Sequence, residues 1–340
     1  MITPTNGAVA VTDRRYPEVV RTRLTDLLGI EHPVMLAGMG GVSYHRLAAA
    51  VSAAGGFGCL GASTMGSDEM VDEIRALRAL TPAPFGVDLL TALPDRLMTD
   101  VDALVREGAT LFVAGLGVPR DAVDRCHEGG VLVASLCGKV RHAEAAVTAG
   151  CDLVIAQGTE AGGHTGTVAT LPLVPQVVDA VAGRVPVVAA GGITDGRGLA
   201  AALMLGADGV WVGTRFIATP EARSARGFKE ALLRTAEDGT VVTRSYSGKP
   251  MRAVRNAWTD HHDAHPDEIR PFPEQLVATM AGGVMHLGAD ETVDGVDPDR
   301  ECYPAGQGVG AITDLEPAAD LVRRFVDEAE RALARGSTRS

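Results

Sequence analysis

The sequence has no excess of basic charge, no paired cysteines and no long apolar run. Lys and Arg number 31 against 43 Asp and Glu, a formal net charge of -12. No basic stripe offsets that balance, which argues against nucleic acid or an anionic membrane as partner. The five cysteines (Cys59, Cys126, Cys137, Cys151, Cys302) are odd in number, scattered and never spaced as CxxC. This pattern predicts reduced thiols in a cytoplasm rather than a disulfide framework. No stretch approaches the ~18 consecutive apolar residues of a membrane span, and no charged n-region leads into an apolar h-region. Low-complexity sequence is confined to the tail Arg335–Ser340. What the chain does have is 340 residues, 46% of them hydrophobic, with 41 glycines. That is enough to build one large core, and a soluble enzyme is the class left standing.

From Pro33 a unit recurs every twenty to thirty residues or so. A short Val/Leu/Ile-rich run leads into an amphipathic helix that stops at glycine. The runs begin near Val34, Phe57, Phe85, Leu111, Val131, Leu153, Pro186 and Gly209. They are continuously apolar rather than alternating, as strands buried on both faces are. Between them, Met70, Val71, Ile74 and Leu77 keep helical spacing behind Ser67, and Asp195 is placed to cap the helix that carries Leu199 and Leu203. Helix exits at Gly55, Gly108, Gly129, Gly150 and Gly206 supply the left-handed position that turns the chain into the next strand. Eight strands alternating with helices predict an α/β fold, a (β/α)8 TIM barrel with a C-terminal helical extension. A doubly wound sheet has the same strand count. The expected divisions are an N-terminal arm over 1–23, the barrel over 24–238 with residues 221–236 as its eighth helix, and the extension over 239–340. The extension carries helical patterns near 274–287 and 317–333, whose apolar faces suggest a homodimer.

In such barrels the chemistry sits on the loops after the strands. After the seventh run stands Ala189-Ala190-Gly191-Gly192-Ile193, and after the eighth Val212-Gly213-Thr214-Arg215-Phe216. Bare N–H groups on two adjacent glycine turns, with the Thr214 hydroxyl, suit a phosphate. After the sixth run stands Gln157-Gly158-Thr159-Glu160-Ala161-Gly162-Gly163-His164-Thr165-Gly166. An imidazole at the strand tips is placed for general acid–base work, and Gln157 can pair with a planar heterocycle. His261, His262 and His265 look like metal ligands, but they are crowded into five residues with no matching set elsewhere. A solvated loop or lid is the plainer expectation, and no metal is assigned. Cys137 and Lys139 stand near the expected mouth, and both are read as structural.

The runs AQGTEAGGHTG, AAGGI and VGTRF, with Ala305-Gly306-Gln307 in the tail, resemble the nitronate monooxygenase family over about Leu24 to Asp314. The same motifs are similar to flavin-dependent enoyl-acyl carrier protein reductases and to NAD(P)H:quinone reductases. The resemblance implies a non-covalent FMN across the barrel mouth. Its phosphate would rest on Gly191, Gly192, Gly213 and Thr214, and its ring near Gln157 and the Gly162-Gly163 turn. Ala37, Gly38 and Met39 would pass beneath the ring, and Gln307 would approach it. His164 would be the active-site histidine. The implied activity is oxidation of small-molecule alkyl nitronates by dioxygen to a carbonyl compound and nitrite. The alternative is reduction of an enoyl thioester or quinone by NAD(P)H. The sequence departs from the family pattern twice. Asp88 stands where asparagine is common, and a carboxylate accepts but cannot donate as an amide does. The first-strand loop reads Ala-Gly-Met-Gly-Gly instead of Ala-Pro-Met.

Overall fold

The computed structural model describes residues 20–91 and 94–337. Most of the expected N-terminal arm therefore lies outside the described residues. All eight apolar runs form strands: β1 (Val34–Leu36), β2 (Gly58–Gly61), β3 (Phe85–Leu90), β4 (Leu111–Gly115), β5 (Leu132–Cys137), β6 (Leu153–Gln157), β7 (Val187–Ala190) and β8 (Gly209–Val212). They pair in parallel, in the order β1-β8-β7-β6-β5-β4-β3-β2. Leu36 N donates to Phe57 O at 2.8 Å and Phe57 N to Val34 O at 2.9 Å. These bonds bring the β2 edge back to β1, so the sheet is a TIM barrel and not an open doubly wound sheet.

Alternate residues of each strand divide between two cores, as the two-residue period requires. Met35, Cys59, Leu111, Val113, Leu153, Ile155, Val188 and Trp211 fill the barrel interior. Val34, Leu60, Phe112, Val154 and Val210 face the helices outside. The helix Arg23–Leu28, capped by Thr22, places Leu24 and Leu28 in the interior cluster. A Cβ on Gly209 would lie 2.5 Å from Leu24 Cδ2, so only glycine lets that helix sit so close to the start of β8.

The helix covering the gap between β8 and β1 is not the expected segment 221–236. That stretch does form a helix, Arg226–Arg234, but it packs on the turn Gln307–Ala311. The gap is closed by the last helix, Ala318–Ser337, which lies on the helices Gly196–Met204 and His45–Ala53. Leu321, Val322, Phe325 and Ala329 are wholly buried there. The apolar face of 317–333 is thus spent within the chain, whereas Val277 and Met280 on the helix Glu274–Ala281 stay exposed.

Arg215 ties this closing helix to the barrel. It is 1% exposed and donates to Ala218 O, Asp314 O and Asp314 Oδ1, with Glu316 Oε2 at 3.4 Å. Arg215→Ala is expected to cost about 2–3 kcal/mol, from a deleted buried side chain and its broken hydrogen bonds. A fall in the urea midpoint at unchanged slope checks this. Among the described residues no helix is long and apolar enough to cross a membrane. All five cysteines are free and buried.

Candidate active site

The C-terminal ends of the strands open into one cavity of about 1140 Å³. It gathers the expected Ala37, Gly38, Met39, Asp88, Gln157, Gly162, Gly163, His164, Gly191, Gly192, Gly213 and Thr214. Gln307 stays out. Its backbone N–H donates to Glu160 O at 2.9 Å, but the residue is exposed and forms no part of the wall. Its neighbours Gly306 and Gly308 line the cavity instead.

The two glycine turns after β7 and β8 meet across this tail segment. Gly306 N donates to Thr214 Oγ1 at 2.9 Å. A Cβ on Gly308 would fall 3.1 Å from Gly192 O and 2.5 Å from Thr194 Cγ2. Gly191 (φ 106°) and Gly192 (φ 72°) hold the left-handed backbone that side chains avoid. Among the described residues, no acceptor meets the N–H groups of Gly191, Gly192 or Gly213. Thr214 accepts from Gly306 and keeps its own hydrogen to give. Unspent donors on two bridged turns fit the phosphate of a nucleotide-like cofactor.

The loop after β6 is shaped by the hairpin β9 (Thr240–Thr243) and β10 (Met251–Val254). Gly163 and His164 add a third strand to it, in register with Arg252 and Met251. Gln157 Nε2 donates to His164 O at 2.8 Å, so this amide staples the loop as well as facing the cavity. The Glu160 carboxylate accepts from Thr170 N and Thr170 Oγ1, anchoring the loop from the other side.

His164 Nε2 lies 3.0 Å from Ser247 Oγ. Burial, and then the positive charge of Lys249, hold its pKa below the ordinary 6.5. Both causes favour the neutral ring that a general base needs. Sequence reasoning missed Ser247 and Lys249, both of which line the cavity. Their signal was a polar Ser-Gly-Lys turn between two short apolar runs, 83 residues from the histidine it serves.

Asp88 sits beside the first-strand loop. A Cβ on Gly38 would lie 2.2 Å from Asp88 Cβ, so glycine is what lets the carboxyl take this position. Burial pushes its pKa from 3.8 up to about 8. A carboxyl that keeps its proton both donates and accepts, which is what the amide of asparagine does. The departure at Asp88 is therefore small in hydrogen-bonding terms at neutral pH.

Cys137 is buried and its thiol is pushed up to about 12, so it is no nucleophile. Lys139 precedes the helix Val140–Ala149 and, with the exposed His142, lines one side of the cavity. Phe228, Leu276, Met280, Met285 and Leu287 supply an apolar wall. The three-histidine segment is no loop. His261 and His262 lie in the helix Ala257–Ala264 and His265 caps its end, all away from the cavity.

A TIM barrel whose strand tips join two phosphate-fitting turns to an imidazole fits a flavin-dependent oxidoreductase. The chain belongs to the nitronate monooxygenase family, whose profile matches residues 21–328. It is 44% identical over 237 residues to the (3aS,4S,5R,7aS)-5-hydroxy-7a-methyl-1-oxo-octahydro-1H-indene-4-carboxyl-CoA dehydrogenase of Mycobacterium tuberculosis. That match covers 69% of this chain and 66% of the relative. FabK from Thermotoga maritima superposes with TM-score 0.85 at 34% identity, covering 94% of this chain and 99% of that one. A nitroalkane oxidase from Streptomyces ansochromogenes gives 0.79 at 31%, covering 92% and 99%.

Proposed function

We propose that this enzyme uses FMN to oxidise alkyl nitronates with dioxygen, yielding a carbonyl compound and nitrite. The observation that carries the reading is the His164 imidazole, 3.0 Å from Ser247 Oγ, in the same cavity as the unspent donors of Gly191, Gly192 and Gly213. Those donors and the Thr214 hydroxyl would hold the cofactor phosphate, and Met39, Asp88 and Gln157 would flank its ring. When bound, FMN supplies the electron acceptor that connects substrate to dioxygen. His164 takes the proton from the carbon bearing the nitro group, or orients a nitronate already formed. Ser247 orients the imidazole, and burial, with the Lys249 charge as the lesser cause, favours the unprotonated ring that can accept.

The cavity itself favours a second reading, reduction of an enoyl thioester or quinone by NAD(P)H. At about 1140 Å³ it is large enough to hold a cofactor and a substrate together. The wall of Phe228, Leu276, Met280, Met285 and Leu287 is apolar, and the 44% identical relative is named for a bulky carboxyl-CoA substrate. An anaerobic absorbance experiment on the FMN-loaded protein separates the two. Loss of the flavin bands on adding propyl-2-nitronate, with no response to NADPH, is the expected result. Bleaching by NADPH alone moves the enzyme to the reductase class, and failure to bind FMN ends both readings.

A further inference from the structure

The helix Ala257–Ala264 and its C-cap residue His265 carry three histidines that the cavity does not use. Asn256 and Thr259 cap its start reciprocally, at 3.1 and 3.0 Å. Its inner face is occupied by Trp258, stacked on Tyr246 at 6.2 Å, and by His262, 4.4 Å from the Trp258 ring. His262 Nδ1 donates to Trp258 O, so this histidine belongs to the packing.

The outer face is different. His261 and His265 lie one turn apart with their rings stacked at 4.5 Å. The short turn Pro266–Glu268 then folds back and sets Glu268 Oε2 2.9 Å from His261 Nε2. One donor atom from each of the three side chains lies within 4.8 Å of the others, and all three residues are exposed. Crowding in sequence is therefore no bar to convergence here, because four residues along a helix bring two imidazoles to one face.

The hydrogen bonding prepares these groups as ligands. His265 Nδ1 meets His261 O at 2.9 Å. A carbonyl oxygen has no proton to give, so Nδ1 carries the hydrogen, and in the neutral ring Nε2 is the nitrogen with the free lone pair. Metal-ligating histidines are characteristically fixed in this way by a backbone carbonyl. Between His261 Nε2 and Glu268 Oε2 a proton holds the pair, and a cation takes its place. Tetrahedral bonds of ~2.0–2.1 Å set donors about 3.3 Å apart, so the 2.9 Å pair would open slightly and any pair spaced towards 4.8 Å would draw in. Exposed side chains on free rotors absorb that change.

We propose that His261, His265 and Glu268 form a surface site for a divalent transition-metal cation of the zinc class, with water completing the coordination. Two imidazoles and one carboxylate select against magnesium and calcium, which take oxygen ligands. The ion would clip the helix Ala257–Ala264 to the turn Pro266–Glu268 and leave the flavin cavity unaltered.

The test is calorimetric titration of ZnCl2 into the untagged full-length protein, stripped of metal, with MgCl2 titrated in parallel. One zinc ion per chain and no magnesium is the expected result. His265→Ala and Glu268→Gln should each weaken zinc binding about tenfold or more, the scale seen even when only outer-shell partners are lost. Both positions are exposed, so the melting temperature of each zinc-free variant should match the parent. Absence of zinc binding, equal binding of magnesium, or zinc binding undiminished in both variants overturns the site.

Discussion

Replacing His164 with alanine is expected to lower turnover by about a hundredfold or more, the scale of a lost general acid–base group. The fold should survive. The backbone of His164 is held by pairing with Met251 and by the Gln157 amide, neither of which needs the imidazole. Cofactor binding should survive too, because the phosphate-fitting turns lie on other strands. Equal flavin content in wild type and variant, with the rate loss in kcat, is the required pattern. A variant with unchanged turnover would remove His164 from the mechanism. The pH profile gives a second check. Burial and Lys249 lower the imidazole pKa, so the acid limb of activity should fall below the ordinary 6.5. Lys249→Met removes the smaller of these two causes, and the limb should move towards higher pH.

Asp88→Asn is expected to stabilise the cofactor-free protein at neutral pH, and to do so more strongly as pH rises. The sign follows from where the proton sits. Below about pH 4 the carboxyl is protonated in both folded and unfolded chains, and the folded state has no disadvantage. Between the ordinary value of 3.8 and the folded value of about 8, the unfolded chain releases the proton while the folded chain retains it. Wild-type stability is drawn down across that window, by at most about 1.4 kcal/mol per pH unit. At pH 7 the upper bound is about 4 kcal/mol, and access to the cavity reduces the expected gain to about 2 kcal/mol. Burial alone drives the shift, and among the described residues no cation is placed to hold the carboxylate. Urea unfolding of both proteins at pH 5 and pH 8 is the measurement. A gain that is larger at pH 5, or absent at both, would mean that Asp88 is ionised and compensated.

Much of this protein is local in character, and the sequence by itself determined that part. Strand runs such as Leu153–Gln157, helix stops such as Gly150 and the Asp195 cap depend on neighbours a few residues away. The same holds for the glycine turns at Gly191-Gly192 and Gly213, since a turn after a strand lies at the barrel mouth wherever the strand goes. The position of His164 at the strand tips was legible for that reason.

Tertiary structure decided what depends on residues far apart in the chain. The bonds between Leu36 and Phe57 show closure of the sheet, which strand count leaves open. The gap between β8 and β1 goes to Ala318–Ser337 because its buried Leu321, Val322 and Phe325 fit there, whereas the helix Arg226–Arg234 packs on the turn Gln307–Ala311. Ser247 reaches His164 only through the hairpin that adds a strand to Gly163–His164. The raised pKa of Asp88 comes from its burial against the first-strand loop, and the meeting of Glu268 with His261 and His265 from one backward turn. Periodicity records which face of an element is apolar, but only packing determines what that face meets.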